Sequence, residues 1–108
     1  MKSKLLIALL LACAPVLAVA KGNIEEGKKK SEICKACHGE GGAKPVLPEY
    51  PILAGQHPDY LAAALNQYKS GKRKNALMSG FSAALSPQDI RDLAAYFAAE
   101  PSPLKVKY

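Results

Sequence analysis

The chain has 108 residues and carries 15 Lys and Arg against 9 Asp and Glu, a formal net charge of +6 at pH 7. This length predicts a single domain, and the moderate charge does not favour a nucleic-acid partner. Two Phe and no Trp leave little large apolar surface, so a core built from protein alone would be small.

The first 20 residues have the pattern of a secretory signal peptide. Lys2 and Lys4 precede an apolar run that ends at Ala18-Val19-Ala20, a small-residue cleavage site. The run is short for a membrane span. We therefore expect residues 21–108 to form the mature domain, exported to the periplasm of a bacterium.

Cys13 leaves an alternative to simple export. Leu10-Leu11-Ala12-Cys13 resembles a lipoprotein cleavage box, and a lipid on Cys13 would tether the protein to the membrane. Against this, the segment after Cys13 stays apolar through Ala20, where a lipoprotein usually has a polar linker.

A first helix is predicted from about Ile24 to Cys37. Asn23-Ile24-Glu25-Glu26 has the pattern of a capping box, and its two carboxylates suit the start of a helix. Gly27 lies inside this helix at a cost of about 1 kcal/mol relative to Ala, which indicates a close packing contact. We interpret the lysines at 28–30 as a solvated face.

Cys34-Lys35-Ala36-Cys37-His38 is typical of a c-type haem attachment site. Two thiols on one helical turn can both form thioether links to a haem, and the adjacent imidazole can bind the iron. A zinc half-site is one alternative, with His57 as the fourth ligand. A redox dithiol is another, but it would need a βαβ setting. We favour haem, which would also fill the small core.

The rest of the chain predicts two more helices and two long loops. Residues 39–57 are rich in Gly and Pro, which indicates an irregular loop. Pro58 begins a second helix that Gly71 ends. Met78 is expected in a second loop, and a third helix begins at Ser86-Pro87. No stretch alternates as a β-strand would, so the sequence predicts an all-α domain.

This ordered set of residues resembles the small monohaem class I bacterial cytochromes c, and is similar to single-domain relatives of the di-haem bacterial cytochromes c. The resemblance spans nearly all of residues 22–99. It depends on Gly27, Cys34-x-x-Cys37-His38-Gly39, Pro51-Ile52-Leu53-Ala54-Gly55-Gln56, Tyr60-Leu61, Tyr68-x-x-Gly71-x-Arg73, Met78, Leu85-Ser86 and Asp92-Leu93-Ala94-Ala95-Tyr96.

The resemblance implies a class I cytochrome c fold, with three main helices and two long loops wrapped around one covalent haem c. It assigns Cys34 and Cys37 to the thioether links, and His38 and Met78 to the iron as axial ligands. Pro51 would accept the His38 ring proton through its carbonyl. It also places Gly27 against Tyr96, between the first and last helices.

The residues alone leave the distal ligand open. Met78 is the one Met after the predicted signal peptide, and a thioether is a soft ligand that favours ferrous iron, but a Met also fills gaps in cores. His57 is a rival ligand, although a His before a helix is usually exposed. Ligation by a lysine also stays open.

The predicted function is one-electron transfer and not enzymatic catalysis, because two axial ligands leave no open iron position. The alternatives are a haem subunit of a respiratory enzyme complex and a haem sensor or enzyme with an open sixth site. Expected partners are redox proteins, with possible transient contact with membrane respiratory complexes and none with nucleic acid. They would dock at the exposed haem edge through a basic rim. This basic rim comprises Lys44, Lys69, Lys72 and Lys74.

Overall fold

The computed structural model describes residue 12 and residues 21–105. The signal-peptide prediction and the Cys13 alternative lie outside the described residues. Between 21 and 105 the chain is helical and contains no strand, which confirms the predicted all-α class. The α-helices are α1 (Ile24–Lys30), α2 (Lys35–His38), α3 (Pro58–Ser70), α4 (Ala76–Ala83) and α5 (Pro87–Ala99). Two 3₁₀ turns cover Ser31–Ile33 and Glu40–Gly42.

The predicted first helix is divided into two, which corrects the expectation of one continuous helix to Cys37. Asn23 caps α1 as predicted, because its side chain accepts a hydrogen bond from the Glu26 backbone at 3.0 Å. The other half of the predicted capping box is not formed, because the Asn23 amide donates to Asp92 Oδ1 at 2.8 Å and not to Glu26. The Ser31 hydroxyl donates to the Lys28 carbonyl at 2.7 Å. A serine that bonds the local backbone competes with the helical pattern, and the chain passes through a 3₁₀ turn before α2 begins.

The segment around Met78 is a helix and not the predicted loop. Asn75 has extended backbone angles, and its side chain accepts a hydrogen bond from the Met78 amide at 3.0 Å, which caps α4. An Asn before Ala-Leu-Met is a strong helix start. Met78 therefore lies in the first turn of α4, where the helix restricts its backbone.

The first and last helices touch at the level of their backbones. A Cβ atom at Gly27 would lie 2.0 Å from the Asp92 carbonyl oxygen and 2.7 Å from Tyr96 Cβ. The predicted contact between Gly27 and Tyr96 is therefore present. Gly22 makes a second such approach, with its Cβ position 2.1 Å from the Arg91 carbonyl oxygen. Only glycine fits at either position unless α5 moves away.

A buried carboxylate joins the same two helices. Asp92 is 2% exposed, and it accepts hydrogen bonds from the Asn23 amide at 2.8 Å, Lys30 Nζ at 2.6 Å and Gln88 Nε2 at 2.7 Å. Lys30 also pairs with Asp89 at 2.8 Å. The interpretation of Lys30 as part of a solvated face is therefore wrong, because its ammonium is bound between two carboxylates of α5.

These contacts shift the pKa values of the groups that make them. Burial raises the pKa of Asp92, but the hydrogen bonds from Lys30, Asn23 and Gln88 outweigh burial and hold it below its ordinary value. The hydrogen bond from Lys30 lowers the pKa of Asp89 to about 2. Both carboxylates are thus held in the charged form at neutral pH.

The hydrophobic core lies between α3 and α5 and is small. Leu61 of α3 packs with four residues of α5: Leu93, Ala94, Tyr96 and Phe97. Cys34, Leu53 and Leu65 pack against this cluster and are only partly buried. The core is therefore continuous on one side with the segment that carries the Cys34 motif.

Candidate haem site

Beside this core lies a cavity of about 320 Å³, within the size range of ligand sites. Its walls come from the Cys34 turn, the loop before α3, and the helices α3, α4 and α5. Most lining side chains are apolar or aromatic. The candidate residues found among them are Cys34, Cys37, His38, Pro51 and Met78.

A single turn presents the two thiols. The amides of Cys37 and His38 both bond to the Cys34 carbonyl, at 3.2 and 3.0 Å. Both cysteines are half-buried and neither forms a disulfide. Burial raises the pKa of the Cys34 thiol, and the nearby Cys37 raises it further. Because the turn is helical, both sulfurs line the same cavity.

The His38 ring is oriented by the Pro51 carbonyl, the partner that the family resemblance implied. It is buried, and its Nδ1 donates to the Pro51 carbonyl at 2.9 Å. A carbonyl can only accept, so Nδ1 carries a proton, and in the neutral ring Nε2 keeps its lone pair. This is the tautomer that a ligand to iron needs.

Gly42 fixes the position of the loop that brings Pro51 to His38. The amides of Leu53 and Ala54 both bond to the Gly42 carbonyl, at 2.8 and 3.2 Å. Gly42 has φ +71°, and a Cβ there would lie 2.8 Å from Leu53 Cβ and 2.9 Å from Phe97 Cδ1. The left-handed backbone and the close approach both require glycine. The packing thereby sets the position of the Pro51 carbonyl.

Met78 lines the same cavity from a different helix. It is half-buried, while its neighbours Leu77 and Phe81 also line the cavity and are 58% and 48% exposed. Helix α4 packs against α3, so its place is set from one side. The structure therefore brings Met78 and His38 to one cavity.

His57 is not part of this group. It occupies the N-cap position of α3, is exposed, and is not among the residues that line the cavity. Of the basic rim, Lys69 contacts the Leu85 carbonyl, and Lys44 and Lys72 are exposed. Lys74 is also exposed, so all four side chains reach solvent.

Other cavity residues had no specific role in the sequence-based prediction. The Arg73 guanidinium lies 4.9 Å from the centre of the Tyr68 ring, and hydrogen bonding to Tyr60 raises the pKa of Arg73. Tyr50 lies against the His38 ring, with centroids 6.1 Å apart. Ser82 of α4 is completely buried beside the cavity. The sequence signal that could have identified Ser82 is its spacing of four residues from Met78, which places the two residues on one face of a helix.

The residues present fit a covalently attached haem. Two thiols, an imidazole with a free Nε2 and a thioether share an apolar cavity, which is the donor set that c-type haem requires. A zinc centre has less support, because no three His, Cys, Asp or Glu side chains converge within the described part of the chain. A βαβ setting for a redox dithiol is also missing from residues 21–105.

Helical elements packed around a cavity that holds a Cys-x-x-Cys-His turn define the class I cytochromes c. The sequence model of the family described as cytochrome c matches residues 24–99. The chain therefore belongs to the cytochrome c family, which implies a covalent haem c with its iron.

Similar proteins agree with this membership. The chain is 43% identical over 99 residues to cytochrome c4 of Pseudomonas aeruginosa, covering 91% of this chain and 49% of that one. It is 39% identical over 82 residues to cytochrome c-554(548) of Halomonas halodenitrificans, covering 73% of this chain and 98% of that one. The crystal structure of reduced recombinant cytochrome c4 from Pseudomonas stutzeri superposes with a TM-score of 0.71 at 36% identity, covering 77% and 48% of the two chains.

The chain spans about half the length of the cytochromes c4 that it matches. It spans nearly the whole of cytochrome c-554(548). No helix of the described residues is both long and apolar enough to cross a membrane.

Proposed function

We propose that the protein is a one-electron carrier that holds one haem c and works in the periplasm. The observation that carries the proposal is the convergence of Cys34, Cys37, His38 and Met78 on one apolar cavity. Membership of the cytochrome c family supports the cofactor. Only one attachment motif is present in the sequence, which supports a single haem.

Each of these side chains has a separate task. Haem, when bound, supplies an iron that alternates between the ferric and ferrous states. Cys34 and Cys37 would hold the group through thioether bonds. His38 offers Nε2 to the iron, and its bond to the Pro51 carbonyl fixes the ring and strengthens its donation. Met78 offers a soft neutral sulfur, which favours the ferrous state.

If His38 and Met78 both bind the iron, a substrate would have no free position on a bound haem, so we propose a carrier and not an enzyme. A sensor or enzyme with an open sixth site would need Met78 turned away from the iron. A haem subunit of a respiratory complex would use the same ligands and differ in its attachment to other chains. The placement of Met78 in the cavity favours ligation by Met78 over ligation by His57.

Export and partners complete the proposal. With residues 1–20 removed as a signal peptide, 13 basic and 9 acidic residues leave a charge of +4 before the haem propionates are counted. The basic rim is exposed and would attract acidic redox proteins, transiently including respiratory complexes, at rates that fall with salt. Attachment to the membrane through Cys13 is the alternative location.

The test is the absorption spectrum of the ferric holoprotein, because a far-red sulfur-to-iron band reports ligation by Met78. We expect the band in the wild type and its loss in Met78→Ala. That variant should also bind carbon monoxide in the ferrous state, whereas the wild type should bind it poorly. Its reduction potential should fall, since the soft ligand has been removed.

His57→Ala is the matched control, because His57 is exposed and outside the cavity lining. It should keep the band and the resistance to carbon monoxide. Rapid carbon monoxide binding by the wild type, unchanged in Met78→Ala, would refute the carrier and favour a sensor. Loss of the closed site in His57→Ala would transfer the distal ligand to His57.

A further inference from the structure

Helix α4 contains a buried hydroxyl that no other part of the described chain satisfies. Ser82 is 0% exposed, and its Oγ has no hydrogen-bond partner among the protein atoms of the described residues. Buried side-chain hydroxyls nearly always have a partner. A helical serine normally bonds the carbonyl four residues earlier or faces water, and Ser82 does neither.

Ser82 lies on the same helical face as Met78. The two residues are four positions apart in α4, a spacing that makes them neighbours on one face. Both line the cavity. Ser79 is directly next to Met78 in sequence but is not among the lining residues. The unpartnered hydroxyl and the thioether are therefore the two adjacent polar functions that α4 presents to the cavity.

The chemistry of the two groups is complementary. A hydroxyl has one proton to donate, and a thioether sulfur is a weak acceptor. A sulfur that gives one lone pair to iron keeps a second one. The carbonyl of Met78 is not bonded by Ser82, so the proton of Ser82 is not committed to the backbone of its own helix.

In this structure the Met78 sulfur is not hydrogen-bonded to Ser82 Oγ. We propose that Ser82 is a positioning residue that donates its hydroxyl proton to the Met78 thioether sulfur once Met78 binds the haem iron. This inference rests on the proposed ligation of the iron by Met78. The hydrogen bond would restrict the Met78 side chain to the rotamer that faces the cavity. It would also withdraw electron density from the sulfur, which weakens donation to ferric iron more than to ferrous iron. Ser82 therefore raises the reduction potential.

The test compares Ser82→Ala with Ser79→Ala in the haem-loaded protein. In a redox buffer that holds the wild type half-reduced, Ser82→Ala should lower the ferrous-to-ferric ratio about two- to fivefold, as expected for the loss of one weak hydrogen bond. The far-red band should persist but shift, because sulfur donation has changed. Ser79→Ala should leave both the ratio and the band unchanged.

The outcomes separate this inference from the proposed function. If Ser82→Ala leaves the ratio and the band of the wild type unchanged, the Ser82 proposal is overturned while ligation by Met78 stands. The Ser82 proposal is equally overturned if Ser82→Ala alters only the denaturation midpoint, because the residue would then act in packing or bind a buried water. If the band is absent from the wild type, or survives in Met78→Ala, the proposed function itself fails.

Discussion

Two regions of this small domain are packed in different ways. One is the contact between α1 and α5, and the other is the set of residues that line the haem cavity. At the α1–α5 contact the two helices meet through glycine, so that the Gly27 Cα approaches the Asp92 carbonyl directly. Asp92 is satisfied there by three donors. This contact is complete with protein atoms alone.

The cavity walls are built in the opposite manner. Leu77 and Phe81 of α4 are about half exposed, and Ser82 has no partner among the described residues. Gly80, on the same helix, has no atom within 4 Å of its Cβ position apart from its chain neighbours and the backbone of its own helix. The position of Gly80 in α4 thus faces open space, whereas the position of Gly27 in α1 meets α5 directly. We therefore expect the α1–α5 contact to contribute more to stability through protein contacts than the cavity walls do, and the cavity walls to be stabilised further by a bound haem.

The largest expected effect is that of a substitution at the contact between α1 and α5. Gly27→Ala should lower the free energy of unfolding by about 3 kcal/mol, because its Cβ would lie 2.0 Å from a backbone oxygen that cannot move alone. Gly80→Ala is the matched control. It should raise stability by up to about 1 kcal/mol through helix propensity, since the Cβ meets nothing.

Urea denaturation of the two haem-loaded variants measures both effects. Equal midpoints for Gly27→Ala and Gly80→Ala would contradict the contrast between the two regions.

A smaller effect is expected at the buried carboxylate. Asp92→Asn should lower the free energy of unfolding by about 2 kcal/mol, because Lys30 loses one of its two charged acceptors and Asn cannot replace it. The remaining bond from Lys30 to Asp89 limits the loss. Glu25→Gln is the control, because Glu25 is an exposed carboxylate in the first turn of α1. It should change the free energy of unfolding by less than about 0.5 kcal/mol. A similar midpoint for both variants would show that Asp92 is not a joint between the helices.

The smallest effect is a dependence on acid. The pKa of Asp89 is lowered from 3.8 to about 2 in the folded protein, chiefly by Lys30, and that of Asp92 is also lowered. The unfolded chain therefore takes up these protons at higher pH than the folded one. The stabilisation is complete above about pH 4 and is lost as the pH falls towards 2.

Denaturation midpoints of the wild type and Asp89→Asn between pH 5 and pH 2, spaced about half a unit apart, measure this loss. The variant should show a flatter profile. Parallel profiles would exclude Asp89 as a source of the acid sensitivity.

The sequence alone determined the features that local chemistry encodes. The prediction of a haem attachment site at Cys34–His38 required no tertiary information, because it depends on three reactive side chains that are adjacent on one turn. The caps at Asn23 and Ser86 marked helix starts for the same reason, since each side chain bonds the backbone three residues later. Gly27 indicated a close contact because a glycine inside a helix is unfavourable without one.

The tertiary structure decided what depends on residues that are distant in sequence. Lys30 resembled a solvated lysine until α5 brought Asp89 and Asp92 to it, 59 and 62 positions later. The isolation of the Ser82 hydroxyl is equally a property of burial, because it depends on every side chain packed around α4. Burial and long-range pairing depend on how helices pack, so no local pattern contains them.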